Sequence, residues 1–510
     1  MLFSSLFAKT AEYEKLAHAL SAPGACALFG LPGSGRAMVY AALAKETGRF
    51  LCIVTPGEAE ATRFAGDLNA LGIPTAVFPA RDYVLRPIEG TAREYEYRRL
   101  SVLGDIVGGR LQAVCVPDEG LTQYTTPRAE FCNNTRTLHP GDTVPRTELT
   151  ALLYNAGYAR RAQVDGPGQF SIRGDIVDLY APDMKLPVRM EFWGDEIDTM
   201  HTFDLATQRR EDPIEKIYVS PAREVLFGSP AEAAELLRAF IKKFRGKKRT
   251  ALEACLATEL AQLDGGALPV NMDKYLAVRY PQPATLLDYF DDPLLVLEEP
   301  ASLREAERAT TYRRGEEISA LLQDGVLAAG LDNLYAENGY LWAQAANHRT
   351  ICAENFARSM PDIPLKDIVN APAHTLPAWG GEVTSLLEDL QPLCNGGAAV
   401  TVLAGTQRAA AGLAADLRTK GLLVTTDPDA APGAGLVQVL PGQLSAGCSV
   451  PFAKYALFTA RAFGISSTQK KKKRNKDALN SLSEIAVGDL VVHQNHGIGR
   501  YAGIQRMAVQ

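Results

Sequence analysis

The chain has 510 residues, 46% of them hydrophobic and 22% charged, with a formal net charge of −6. That length demands several domains with separate cores, and that composition excludes global disorder. The acidic balance excludes nucleic-acid binding by overall charge, so any such contact needs a local basic patch; the one dense run, KKKKRNK at 470–476, reads as a solvated linker.

Eight cysteines, at 26, 52, 115, 132, 255, 352, 394 and 448, never reach C-x-x-C spacing. They read as buried small hydrophobes of a reducing compartment, with no disulfide framework and no metal site. The opening MLFSSLFAKTAEYEKL has no basic leader, and no apolar stretch approaches the ~18 residues that span a bilayer. A cytoplasmic protein without a membrane partner is expected.

Along residues 1–120, apolar runs such as CALF, LCIVT and TAVFP alternate with the helical segments RAMVYAALAKETG and EAEATRFAGDLNALG. This is the rhythm of a parallel sheet covered by helices. A helix led by TAREYEYRRLSVLGDIVGG then feeds the strand LQAVCV. From 121 to 227 the texture turns to short strands and tight turns, as in GQFSIRGDIVDLYAP and VRMEFWGDEIDTM, which predicts an inserted β module. Over 228–345 helical patterning returns at 230–265, and LLVLEEP (294–300) is expected to rejoin the first sheet. A further α/β unit is expected over 346–465, a basic linker over 466–485, and from 486 to 510 the start of a small β-barrel, VGDLVVHQNHGIGRYAGI, with too few strands to close. That ending looks cut. The expected fold class is therefore multidomain α/β: a parallel sheet domain interrupted by a β insert, a second α/β domain, and an incomplete β barrel.

The stretch ALFGLPGSGRAMVY (27–40) begins as a phosphate-cradling loop begins. Gly30, Gly33 and Gly35 are in place for backbone N–H groups to hold an anion, but Arg36 and Ala37 stand where Lys and Ser or Thr are needed. A planar guanidinium does not replace a point-charge ammonium neutrally, and Ala37 offers magnesium no oxygen. Hydrolysis also needs an Asp at the end of a buried partner strand. The best candidate strand ends in Glu298-Glu299, and the alternative pair Asp118-Glu119, past a proline, reads as a solvated turn. Two halves of one centre each lack a required group, so the loop reads as inactive, with no catalytic residue, metal ligand or cofactor expected.

In VRMEFWGDE the strand period puts Val188, Met190 and Phe192 on one face and Arg189, Glu191 and Trp193 on the other. The second set places a tryptophan and an arginine side by side where water should be, and these residue types often carry interface energy. A tryptophan covered by a loop is the structural alternative. Arg173, in FSIRGD, joins the patch if Gly174 allows a bulge.

These same residues carry a resemblance. RRAQVDGPGQFSIRGDIVDLYAPDMKLPVRMEFWGDEIDTMHTFDLATQRR resembles the second domain shared by the excision-repair protein UvrB and the transcription-repair coupling factors. FPARDYVLRPIEGTAREYEYRRL and TLLDYFDDPLLVLEEP look like the flanking halves of their first domain. VGDLVVHQNHGIGRYAGI is similar to the opening of the RNA-polymerase-interacting domain, which UvrB lacks. The altered loop, the Glu298-Glu299-Pro300 ending and the short join between FPARDY and REYEYRRL separate the chain from UvrB and point to the coupling factors, whose N-terminal module is known for such decay.

The resemblance implies contacts with UvrA through Arg173, Arg189 and Trp193. It implies contacts with the RNA polymerase β subunit from RYAGIQRM onward, with Arg500 and Met507 as candidates and Tyr501 and Ile504 as packing residues; His493 and His496 read as structural. In the family an ATP- and magnesium-dependent DNA translocase follows, so DNA binding by this chain is expected to be weak or absent. The expected function is a non-hydrolytic docking module. The alternatives are an active ATPase or helicase using Arg36, and a UvrB-like damage-binding protein.

Overall fold

The computed structural model describes residues 10–86, 93–360 and 363–460 in full, and the backbone alone of 490–493 and 497–500. Its first four strands, β1 (Gly24–Phe29), β2 (Leu51–Thr55), β3 (Thr75–Val77) and β4 (Ala113–Pro117), alternate with helices Gly33–Thr47, Glu58–Ala70 and Glu94–Val107. The chain then leaves for the insert. There β5 (Arg136–Leu138) is followed by β6 (Ala159–Arg160), β7 (Gln169–Arg173), β8 (Ile176–Tyr180), β9 (Val188–Trp193), β10 (Glu196–Phe203), β11 (Arg210–Pro213) and β12 (Ile217–Val219). Returning, it adds β13 (Leu294–Glu298), β14 (Arg349–Glu354) and β15 (Leu365–Asn370) to the first sheet, whose order is β15-β1-β14-β13-β2-β4-β3.

Every pairing in that sheet is parallel. β1, β2, β4 and β13 are buried along their whole length, which is why they read as unbroken apolar runs rather than alternating ones. β13 rejoins the sheet between β2 and β14, where the LLVLEEP run was expected. The boundary expected at 346 falls elsewhere. β14 and β15 flank β1 on either side, so the next unit starts at β16 (His374–Leu376). TICAE is as apolar as a core strand, and nothing in its composition says which sheet it completes.

The following unit orders β16-β20-β21-β17-β19-β18, with β17 (Ala399–Leu403), β18 (Leu423–Thr425), β19 (Leu436–Leu440), β20 (Gly447–Val450) and β21 (Tyr455–Thr459). Helices Val383–Asn395 and Gln407–Thr419 cover it. It docks on the first domain: Ser445 donates its N–H and its hydroxyl to the Asp67 carboxylate at 2.6 Å each, and Cys448 and Tyr455 share a core with helix Gly33–Thr47. β22 (Leu490–His493) and β23 (Gly497–Arg500) form an antiparallel pair.

The insert's main sheet, β11-β10-β9-β8-β7-β6, packs Phe170, Val177, Met190 and Phe192 against Leu149 and Leu153 of helix Arg146–Asn155. A buried ionic junction ties insert to body. Arg81 holds Asp273 through both Nη atoms at 2.7 and 2.9 Å, Arg99 donates to Glu224 at 2.6 Å, and the Glu224 N–H reaches Glu96 at 3.0 Å. Both resemblance motifs thus contribute to this clamp, FPARDY through Arg81 and REYEYRRL through Glu96 and Arg99. Such a junction is strongly destabilising to break from one side, because the partner charge is left buried.

Candidate functional site: a closed phosphate loop and an outward sheet face

The phosphate-type loop leaves β1 at Gly30, whose φ of 89° is left-handed territory that a Cβ resists. It enters helix Gly33–Thr47, so the glycine-rich turn and helix start stand where sequence placed them. Arg36 is only 2% exposed. Its side chain turns inward: Nε donates to the Leu31 carbonyl at 2.8 Å, one Nη to Glu298 and the Ala353 carbonyl, and the other to Glu299 at 2.5 Å and Asn355 at 2.7 Å. A guanidinium has five N–H groups, and each here meets a protein acceptor. Tyr40 adds a hydroxyl donated to the second Glu298 oxygen at 2.6 Å.

The two halves read separately in the sequence as altered are therefore bonded to each other. Burial opposes the Arg36 charge, yet the neighbouring Glu298 carboxylate drives its pKa up. Burial pushes Glu298 above the usual carboxylate range, against the pull of Arg36 and Tyr40. Glu299 sits at φ 51°, a left-handed conformation that costs a residue with a side chain roughly 1–2 kcal/mol, and it caps the start of helix Pro300–Gln323. Above the loop, an Arg63 Nη lies 3.1 Å from where a Cβ on Gly33 would be. Ala37 is fully buried in the helix core.

Asp118 corrects the reading of a solvated turn. It is 2% exposed in the short helix Asp118–Leu121 after β4, and burial, with Glu307 adding, pushes its carboxyl up to about 7. Glu119 pairs with Arg313. The proline before Asp118 ends the strand without bringing the chain to the surface.

On the insert, the strand alternation holds: Val188, Met190 and Phe192 are buried, while Trp193 is 85% exposed. No loop covers it. Arg189 and Trp193 are not side by side, because Glu191 stands between them on the face and pairs with Arg210. Arg173 joins the face without a bulge. Gly174, at φ 60°, makes the two-residue turn that pairs Arg173 with Ile176, and Gly194, at φ 64°, does the same between Trp193 and Glu196. The strands alternate in direction, so both turns lie at one end of the sheet.

The residue that organises this face is Asp178, which sequence reasoning passed over. It is fully buried, lies opposite Arg189 in register, accepts from Arg189 at 2.7 and 3.0 Å and takes Arg173 at 2.5 Å. Arg189 also lies 4.6 Å over the Phe203 ring and reaches Gln208. An acid in the middle of the otherwise apolar strand IVDLY, flanked by Val177 and Leu179, was the available signal. Arg500 closes β23, while Met507, Tyr501, Ile504, His496 and the run at 470–476 lie outside the described residues. Among the described residues all eight cysteines are free, no cluster of ligand side chains is placed to hold a metal ion, and no helix is long and apolar enough to cross a membrane.

Residues 137–225, the insert, match a family model described as the UvrB interaction domain, and residues 485–510 match one described as the CarD-like/TRCF RID domain. The chain is related to the transcription-repair coupling factors. It is 27% identical over 498 residues to the transcription-repair-coupling factor of Bacillus subtilis and 25% identical over 500 residues to that of Staphylococcus haemolyticus. Each alignment covers 94% of this chain and 42% of the relative, so the chain spans about two fifths of the length of these relatives. It corresponds to their N-terminal region, with a UvrB-interaction domain and, at 485–510, a segment matching the polymerase-interacting domain family.

Proposed function

We propose that this chain is a docking module of a transcription-repair coupling factor: it presents UvrA with the outward face of the insert and RNA polymerase with the β22–β23 segment, and hydrolyses nothing itself. The observation that carries the reading is Trp193, a large apolar side chain left 85% in solvent at the end of a sheet, inside the segment matching the UvrB interaction domain. Tryptophan and arginine are enriched among the residues that anchor protein interfaces. Arg173 and Arg189 lie further along the same face, held by Asp178 and separated from Trp193 by Glu191. In this reading the motor that displaces a stalled polymerase belongs to the rest of a longer protein, and the polymerase contact falls on its β subunit through Arg500 and Met507.

The inward Arg36 supports the non-hydrolytic part. A triphosphate in the loop would have to displace protein acceptors from a buried cation, and no hydroxyl at 37 stands ready for magnesium. Binding of UvrA to the chain, compared with the Trp193→Ala and Arg189→Ala forms in calorimetry, tests the docking role. Unchanged affinity in both would remove it, and ATP turnover abolished by Arg36→Ala would replace the non-hydrolytic reading with an enzymatic one.

A further inference from the structure

The basic run named from sequence is not the only one. Residues 242–249, Lys-Lys-Phe-Arg-Gly-Lys-Lys-Arg, hold six cations in eight positions and no acid, in a chain whose net charge is −6. Phe244 and Gly246 interrupt the run, which hid it from a search for unbroken charge. In the fold it is the corner between helices Pro230–Lys242 and Gly246–Asp264.

The corner is built rather than loose. Phe244 turns inward, edge-on to Phe240 at 5.1 Å, and packs where Gly330 has no Cβ; a methyl there would come within 2.8 Å of the Phe244 ring. Gly246, at φ 56°, makes the bend. With the turn pinned from below, Lys242, Lys243, Arg245, Lys247 and Lys248 all stand exposed. Arg249 is held by Glu253 at 2.8 Å and Lys243 lies 6.0 Å from the Phe240 ring. Among the described residues Lys242, Arg245, Lys247 and Lys248 have no ion pair, while Arg249 is the one cation of the run that does. The second helix begins with no side-chain cap and no acid in its first turn. Cations there oppose the helix dipole, so folding alone does not explain them.

We propose that this corner binds the phosphate backbone of duplex DNA without reading its sequence. An acidic protein surface is the competing partner, and the composition argues against it. Protein interfaces centre on a desolvated apolar anchor, and no large hydrophobic side chain between 236 and 256 is exposed. A cluster of cations with no apolar centre suits a polyanion held by phosphate contacts and counterion release. The contact revises the expectation that this chain binds DNA weakly or not at all, which was drawn without this basic run.

The test is fluorescence anisotropy of a short labelled mixed-sequence duplex with the full chain, titrated between about 50 mM and about 200 mM salt. The variant Lys242→Ala/Lys243→Ala/Arg245→Ala/Lys247→Ala/Lys248→Ala is expected to lose at least about tenfold in affinity at low salt, with the salt slope falling by about 0.9 for each phosphate contact removed. Lys247→Ala/Lys248→Ala, at two exposed positions with no ion pair, gives about a threefold loss that stands if the larger variant melts early. Trp193→Ala leaves the affinity unchanged. Equal affinity of wild type and both corner variants, loss that instead follows alanines at 470–473, or displacement by polyglutamate as effective as by unlabelled duplex would each overturn the proposal.

Discussion

The phosphate loop and the insert face each centre on a carboxylate bonded to arginine, and they use that bond in opposite ways. At the loop, Arg36 is sealed between Glu298 and Glu299 and every donor is consumed inside the protein. On the insert, Asp178 fixes Arg173 and Arg189 on the outward face, at whose edge a tryptophan stands with nothing over it. The first pattern closes a site. The second holds one open, because the ordering of long side chains is met within the fold before any partner arrives.

The contrast is broken most forcefully at Arg36. Arg36→Ala leaves Glu298 buried without its cation, and a loss of roughly 3–5 kcal/mol in stability is expected from thermal or urea unfolding, with UvrA affinity untouched while the chain is folded. A small effect would mean that the loop is looser than the bonding implies.

Asp118 sharpens the same region through pH. Its folded pKa, about 7, lies above the unfolded one. A raised acid favours the fold below its unfolded pKa and loses that contribution as pH rises through the folded value, so the penalty is greatest above about pH 7. Asp118→Asn is therefore expected to stabilise the chain by roughly 2–4 kcal/mol at pH 8 and to change little at pH 4. Parallel stability curves across that range would contradict the burial of an unpaired carboxylate.

On the insert, Trp193→Ala is expected to cost about 2 kcal/mol of UvrA affinity and to leave the melting temperature alone, since a side chain this exposed contributes within about 0.5 kcal/mol to folding. Arg189→Ala separates less cleanly. It removes a partner from buried Asp178, so about 1 kcal/mol of stability goes with the affinity, and Arg173 limits the damage. The smallest effect is a restoration that fails: Arg36→Lys with Ala37→Thr is expected to give no ATP turnover, because Glu298 and Glu299 still face the loop without an Asp for magnesium.

Much of this was legible in the sequence. Unbroken apolar runs at CALF, LCIVT and LLVLEE announced buried parallel strands, and the alternation in VRMEFW alone separated core from face. Asp118 was misjudged because local sequence shows a proline and two acids, whereas burial comes from helix Pro300–Gln323, nearly two hundred residues away in sequence, whose Glu307 and Arg314 face it. β14 and β15 were assigned to the wrong unit for the same reason: strand pairing is a long-range choice between equally apolar sheets. The bond from Arg36 to Glu298 spans 262 residues. Sequence showed that both ends had changed, and only the fold shows that they changed toward each other.

The most direct measurement is calorimetric titration of UvrA against the wild-type chain and Trp193→Ala, without nucleotide. The account expects the wild type to bind and the variant to bind about 30-fold more weakly with an unchanged melt, which is the 2 kcal/mol above expressed as affinity. Equal affinities, or wild-type binding that appears only when ATP and magnesium are added, would contradict it.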